Sequence, residues 1–317
     1  MTGLYIFPVS VPKRSLLLKL TVHLLPNSTF KSFIISLRPK QWSKNIIVFA
    51  GLFFAEDIFD LQKIKTALLA FIYFCLVSSA GYLVNDVLDR KKDALHPLKK
   101  FRPIAAGEIS TSAALTGAAV FILLGLFCSY QINTVFAAII LTYSFLTIIY
   151  SVYLKKLIII DVIVISTGFM LRTIGGTIAI NEIISSWLII CTIFLALFLA
   201  LNKRYAEISA IGENAFQSRK TLALYSPAFL GQMINIVTAA CLMAYALYTL
   251  DPETVTKFGT RNLVFTLPFV IYGLFRYLFL VQNEKLGESP ENVLIHDLPM
   301  IVNIILYAVA VVAIIYH

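Results

Sequence analysis

Apolar residues recur along this chain in nine long blocks, at roughly 44–60, 64–86, 110–128, 133–150, 158–180, 186–203, 225–250, 262–281 and 298–316. Each is near the roughly 20 residues that a helix needs to cross hydrocarbon. None alternates polar and apolar positions as a half-buried strand does. Lipid admits only helices or closed barrels, because every backbone polar group must be paired internally. The pattern therefore predicts an all-α integral membrane protein, a bundle of nine transmembrane helices. The block at 44–60 is the weakest, since Glu56 and Asp57 interrupt it. Connections are short, so residues 31–317 read as one unit. Residues 1–30, mildly basic through Lys13, Arg14 and Lys19, lack a small-residue cleavage site and read as an amphipathic segment on the cytoplasmic surface of the membrane.

Composition agrees and removes other classes. Of the 317 residues, 59% are hydrophobic and 14% charged, against about 25% charged in a soluble domain. Cys75, Cys128, Cys191 and Cys241 lie in four different blocks with no CxxC spacing and no neighbouring His. They read as small buried hydrophobes, not as a disulfide framework or a zinc site. The match of Asn27-Ser28-Thr29 to a glycosylation sequon is too short to carry weight.

The net charge is +9, and its placement sets an orientation. Arg90, Lys91, Lys92, Lys99, Lys100 and Arg102 follow the second block, and Lys155 and Lys156 the fourth. Lys203, Arg204, Arg219 and Lys220 follow the sixth, and Lys285 the eighth. The opposite loops hold only Lys63, Lys65, Lys257 and Arg261. The positive-inside rule places the basic loops and the N-terminus in the cytoplasm of a multi-pass protein of the cell (inner) membrane. Topology and attraction to anionic lipid account for scattered Lys and Arg. They do not account for acids set among them.

Those acids are concentrated in YLVNDVLDRKKDALHPLKKFRPIAAG, residues 82–107. Asp86, Asp89 and Asp93 are spaced i, i+3, i+7, which puts them on one helix face, with Asn85 flanking it. Like charges on one stripe repel unless a cation sits among them. Oxygen-only ligands suit Mg²⁺ or Mn²⁺, and Mg²⁺ commonly binds through one or two carboxylates plus substrate phosphates. The plainer alternative is a solvated helix end paired within itself to Arg90, Lys91 and Lys92. A second cluster, YSVYLKKLIIID at 150–161, opens the fifth block with Asp161, where Lys155 or Lys156 is the expected partner. Arg172 lies about three turns further on a similar face, and Gly175-Gly176 follow as a site of close helix packing.

These residues resemble the UbiA-type intramembrane prenyltransferase superfamily. NDVLDRKKD has its NDxxDxxxD form. The resemblance is closer to the polyprenyl-phosphate phosphoribosyltransferase branch, through LRPKQWSKNIIVFA, HPLKKFRPIAAG, LNKRYAEI and RYLFLVQNEKLGESPENVLIHD. It implies helices around a central cavity with a Mg²⁺-diphosphate site at the cytoplasmic face. One departure stands out. Many superfamily members carry a second DxxxD-like motif, whereas here Ile165 stands four residues after Asp161 and Lys155 and Lys156 precede it. That fits a donor with an additional phosphate, such as phosphoribosyl diphosphate, with a polyprenyl (decaprenyl-like) phosphate as acceptor.

The resemblance then implies roles. Asp86, Asp89 and Asp161 are the expected catalytic residues, and Asn85, Asp86, Asp89 and Asp93 the metal set. Lys99, Arg102, Lys155, Lys156 and Arg172 are expected on the donor phosphates. Arg38, Gln41, Lys44, Asn45, Lys203 and Arg204 are expected on the acceptor phosphate, although Arg38 and Lys44 beside Trp42 also read as interfacial snorkelling. Tyr82, Tyr150 and Tyr153 read as interfacial belt residues, His96 as shaping its loop rather than acting as a base, and Glu291 and Asp297 match family positions. No nucleic-acid partner is expected, and a homo-oligomer is left open. Two rivals differ in kind. An aromatic prenyltransferase of the same fold would take its diphosphate on the prenyl chain. A transporter would place its charges near the midplane, not at one end.

Overall fold

The computed structural model of the protein describes residues 29–54, 58–96, 98–211, 224–283 and 297–316. The N-terminal segment 1–28, Glu56, Asp57, Pro97, Arg219, Lys220, Lys285 and Glu291 lie outside them. Eight helices among the described residues are long and apolar enough to cross a membrane. They are α1 (Leu61–Leu95), α2 (Thr111–Ile132), α3 (Thr134–Val152), α4 (Ile160–Ala179), α5 (Ser186–Ile211), α6 (Pro227–Leu250), α7 (Leu267–Asn283) and α8 (Leu298–Tyr316). No strand occurs among the described residues.

Local chemistry sets where the helices begin. Asp60 accepts from the amides of Gln62 and Lys63 at the start of α1, and Asn133 from those of Val135 and Phe136 at the start of α3. Ser110 and Ser226 cap α2 and α6 in the same way, the latter ahead of Pro227. Such side chains satisfy amides that have no partner within the first turn. With 35 residues, α1 is about 52 Å long at 1.5 Å per residue, well over the roughly 30 Å of hydrocarbon. Its last turns, which carry Asn85 to Asp93, therefore extend past the apolar run at the basic end of the bundle.

The expected first span takes another form. Residues Pro39–Phe49 wind as a 3₁₀ helix and continue into a four-residue α-helix, Ala50–Phe53. At about 2.0 Å rise per 3₁₀ residue these fifteen residues (eleven and four) still cover close to the hydrocarbon thickness. The apolar run before Glu56 is too short to span as a regular α-helix, and the greater rise per residue of the 3₁₀ winding offsets that. The segment lies backbone to backbone on α4, where a Cβ at Gly176 would overlap the Val48 carbonyl oxygen and one at Gly175 would come within 2.8 Å of the Phe74 ring. The expectation that Gly175-Gly176 permit close packing holds, with this segment and α1 as the partners. Gly176→Val is expected to lower stability by about 1–3 kcal/mol, the usual penalty for overpacking. Thermal unfolding in detergent reads this, with Gly231→Ala as control, since nothing lies within 4 Å of a Cβ there.

In the bundle, α1 packs on α2 and α3, α4 on α3 and α5, α5 on α6, and α7 on α8. Burial ranks them. Of its most apolar window, 56% is enclosed in α1 but 11% in α8, so α1 is central and α8 peripheral. Leu123, Phe127, Phe145, Ile236 and Val309 stand outward with at least 60% of their surface exposed. An apolar surface of that extent is stable only against lipid.

Candidate active site

The last turns of α1 carry the expected acidic face, and the structure divides it. At 3.6 residues per turn, Asn85 and Asp89 stand about 40° apart around the helix and Asp86 and Asp93 about 20° apart. They make two adjacent stripes. Lys155, in the 3₁₀ turn Leu154–Lys156 after α3, covers the first. Its Nζ lies 3.0 Å from Asn85 Oδ1 and 2.8 and 2.7 Å from the two Asp89 oxygens. Arg102 covers the second, donating to Asp93 Oδ2 at 2.6 Å and to Asp86 Oδ1 at 3.1 Å. Arg38 donates to the same Asp86 oxygen. Arg90, Lys91 and Lys92 are exposed, whereas Asp86 and Asp93 are buried. The aspartates therefore face into the bundle and pair with cations from three other segments. They are not a solvated helix end paired within itself.

Arg38, expected on the acceptor phosphate, lies at this acidic face. Its backbone is left-handed, φ 55°, a conformation that costs a non-glycine residue about 1–2 kcal/mol. This residue links the short helix Thr29–Ser36 to the 3₁₀ segment, and its guanidinium reaches Asp86 across the Tyr82 ring, 5.1 Å from the centroid. Tyr82 is thus more than a belt residue. Lys99 is half-buried in the turn Lys99–Phe101, and Lys156 is exposed.

His96 ends α1, and its Nδ1 accepts from the amides of Leu98 and Lys99 at 3.2 and 3.3 Å. Burial, with Lys99 and Arg102 close by, holds its pKa below the ordinary histidine value. A nitrogen committed to two backbone amides caps a turn.

Asp161 corrects the sequence-based pairing. It is 1% exposed, and neither Lys155 nor Lys156 reaches it. Arg204 Nε donates to its Oδ2 at 2.9 Å and the Tyr225 hydroxyl to its Oδ1 at 2.9 Å. Arg204 also donates to Glu207 at 2.7 Å, and the Ile159 amide to the Tyr225 oxygen at 2.7 Å. Burial is the first reason that the Tyr225 hydroxyl is pushed up to about 12. The cluster ties the start of α4 to α5 and to the entry of α6. Both ions are enclosed and paired with each other, which gives Arg204, expected on the acceptor phosphate, a structural contact within the bundle. Lys203, beside it, is half-buried.

Arg172, expected on the donor phosphates, lies with Asn45 and Tyr143 in the interior, deeper than the acidic face: its Nε donates to Asn45 Oδ1 at 2.7 Å and its Nη2 to the Tyr143 hydroxyl at 2.6 Å. Asn45 in turn donates to Ser78 Oγ and Cys75 Sγ, both at 3.2 Å. Lys44 donates to Gln41, one turn before it, and Trp42 to Ser79 Oγ at 3.0 Å. Asp297 caps α8 through the Met300 amide and receives Arg276, whose hydrogen bond holds its carboxyl below the usual carboxylate range. That role is structural. Tyr143 and Tyr225 have no signal in the sequence, as one lies within an apolar run and the other near residues of no marked pattern.

The acidic face fits a divalent ion. Among the described residues no three His, Cys, Asp or Glu side chains converge as a closed metal cage. What does converge is a cation, the Lys155 ammonium, held by Asn85 and Asp89 oxygens. An all-oxygen donor set with few carboxylates suits Mg²⁺ or Mn²⁺ completed by water and phosphate. A cavity of about 760 Å³ opens at the other end of the bundle and is lined among others by Thr177, Trp187, Cys191, Tyr248 and Asp251. It does not touch these carboxylates.

Residues 45–296 match the UbiA prenyltransferase family. The chain belongs to that family. It is 35% identical over 277 residues to the decaprenyl-phosphate phosphoribosyltransferase of Corynebacterium glutamicum, covering 86% of this chain and 83% of that protein. To the protein of that name from Mycobacterium tuberculosis it is 30% identical over 279 residues, covering 86% and 90%. A solved UbiA homologue from Archaeoglobus fulgidus, bound to DMAPP and Mg²⁺, superposes with a TM-score of 0.70 at 20% identity over 90% of this chain and 99% of that one. That likeness supports the all-helical UbiA fold.

Proposed function

We propose that this multi-pass membrane enzyme transfers the 5-phosphoribosyl group of phosphoribosyl diphosphate to a polyprenyl (decaprenyl-like) phosphate and releases diphosphate. The reaction is Mg²⁺-dependent and takes place at the basic, cytoplasmic end of the bundle in the cell (inner) membrane. The observation that carries this reading is the cation-lined acidic face: Arg38, Arg102 and Lys155 converge on Asp86, Asp89 and Asp93. The names of the relatives at 30–35% identity over 86% of the chain support it.

Asn85, Asp86, Asp89 and Asp93 would hold the metal, and its charge would offset that of the departing diphosphate. Arg38, Arg102 and Lys155 move from carboxylate to phosphate oxygens as the donor enters, with Lys99 and Lys156 adding positive charge at the mouth. The bond from ribose C1 to the diphosphate oxygen breaks. A phosphate oxygen of the acceptor forms the new bond to C1 from the opposite face, inverting that carbon. A phosphomonoester carries about −1.5 to −2 charge near pH 7, so no strong base is needed. Catalysis is mainly positioning and electrostatics, which agrees with His96 being committed to backbone amides.

Membranes carrying the protein, given ribose-labelled phosphoribosyl diphosphate, Mg²⁺ and polyprenyl phosphate, are expected to move label into the lipid-extractable fraction. Transfer of a prenyl group from prenyl diphosphate to an aromatic acceptor, with no label entering lipid, would reverse the assignment in favour of an aromatic prenyltransferase.

A further inference from the structure

Arg172 is 6% exposed on a helix that spans the membrane. A charge at that depth is unfavourable by several kcal/mol unless it is paired or serves a function. Among the described residues no carboxylate pairs with it. It is held by neutral groups alone, namely Asn45, Tyr143 and the rings of Tyr143 and Phe169 at 4.8 and 5.1 Å. Of the five donors of a guanidinium, the hydrogen bonds to Asn45 and Tyr143 use two. Nη1 has no acceptor among the described residues, and Gly168, one turn earlier on α4, places no side chain over it. The guanidinium is therefore braced on one edge, with donors unused on the other and no carboxylate partner among the described residues.

Its position relates it to the acidic face. Asn45 bonds to Ser78, which precedes Asp86 by about 12 Å along α1 at 1.5 Å per residue. Tyr82 stands between the two, its ring against Arg38 and its hydroxyl near enough to that of Tyr143 to act on it electrostatically. Planar, forked guanidinium donors match phosphate oxygens.

We propose that Arg172, braced by Asn45 and Tyr143, is a seat for a phosphomonoester, separate from and deeper in the membrane than the metal-side cations. This rests on the phosphoribosyl transfer proposed above, in which both substrates supply that chemistry. The donor carries a 5-phosphate on the far side of its ribose, and the acceptor lipid carries a phosphate anchored within the bilayer.

The test uses the whole protein in detergent or nanodiscs. Arg172→Gln is expected to raise KM tenfold or more for one substrate, with that for the other within twofold of wild type. A rise for phosphoribosyl diphosphate assigns the seat to the 5-phosphate, and a rise for polyprenyl phosphate assigns it to the lipid. Titration calorimetry without turnover, using ribose 5-phosphate and a short-chain prenyl monophosphate as probes, should show the matching probe binding wild type and not Arg172→Gln. Arg172→Lys should lie between them. If Arg172→Gln does not fold, Arg172→Lys and Tyr143→Phe decide. Unchanged KM for both substrates and unchanged probe binding in folded variants would overturn the seat and leave Arg172 a structural clamp. Loss of probe binding without any transfer by wild type would instead sink only the proposed reaction.

Discussion

Asp89→Asn is expected to lower phosphoribosyl transfer on the order of 10²–10³-fold, the loss typical of removing one group that stabilises charge in the transition state. The protein should remain folded. Asp89 gathers the Lys155 ammonium at 2.7 Å, but Asn85 also binds that ammonium at 3.0 Å, so the amide left at position 89 keeps Lys155 solvated by oxygen. What the variant lacks is the negative charge that a divalent ion needs. Affinity for Mg²⁺ or Mn²⁺, followed by calorimetry with the donor present, should fall in parallel with activity. Asp86→Asn acts in the same direction with a different secondary effect, since Asp86 receives both Arg38 and Arg102. Near-normal transfer in Asp89→Asn would remove the acidic face from the reaction. A collapse of the folded protein would recast Asp89 as a structural counter-ion.

Parts of this site are plain in the amino-acid order and parts are not, for a physical reason. Asp86, Asp89 and Asp93 share a face because a helix repeats every 3.6 residues, and such regularity is local. Apolar runs identify spans for the same reason. The partners of the aspartates are not local. Lys155 lies 66 residues from Asp89, and Arg38 lies 48 from Asp86. Charge alone does not say which of the 26 Lys and Arg residues meets which acid. The pairing of Asp161 with Lys155 or Lys156 followed from proximity in sequence, whereas the bundle places it against Arg204 and Tyr225, 43 and 64 residues away. The 3₁₀ winding of Pro39–Phe49 was likewise illegible, since the segment packs on the bare backbone at Gly176, far along the chain. Tyr143 belongs to a run that is otherwise apolar, and its meaning depends wholly on Arg172 facing it.

Arg204→Leu is expected to destabilise the folded protein by about 3–5 kcal/mol, the loss seen when one partner of a buried pair is removed. The side chains of Arg204 and Asp161 are 4% and 2% exposed, so little water screens the carboxylate that remains, and only the Tyr225 hydroxyl still donates to it. Glu207 also loses its partner, but it is a quarter exposed and can be hydrated. Adding Asp161→Asn to Arg204→Leu should recover part of the loss, because no buried charge is then left unpaired. Thermal unfolding of the purified proteins in detergent measures both variants. The same experiment decides the role of Asp161, which the family resemblance makes catalytic and which the geometry makes a tie between α4, α5 and the entry of α6. If Arg204→Leu and Asp161→Asn keep wild-type stability yet lose transfer, Asp161 works in the reaction. If stability falls and the surviving folded fraction keeps its turnover, Asp161 is a structural tie and the chemistry rests on the α1 carboxylates and the cations around them.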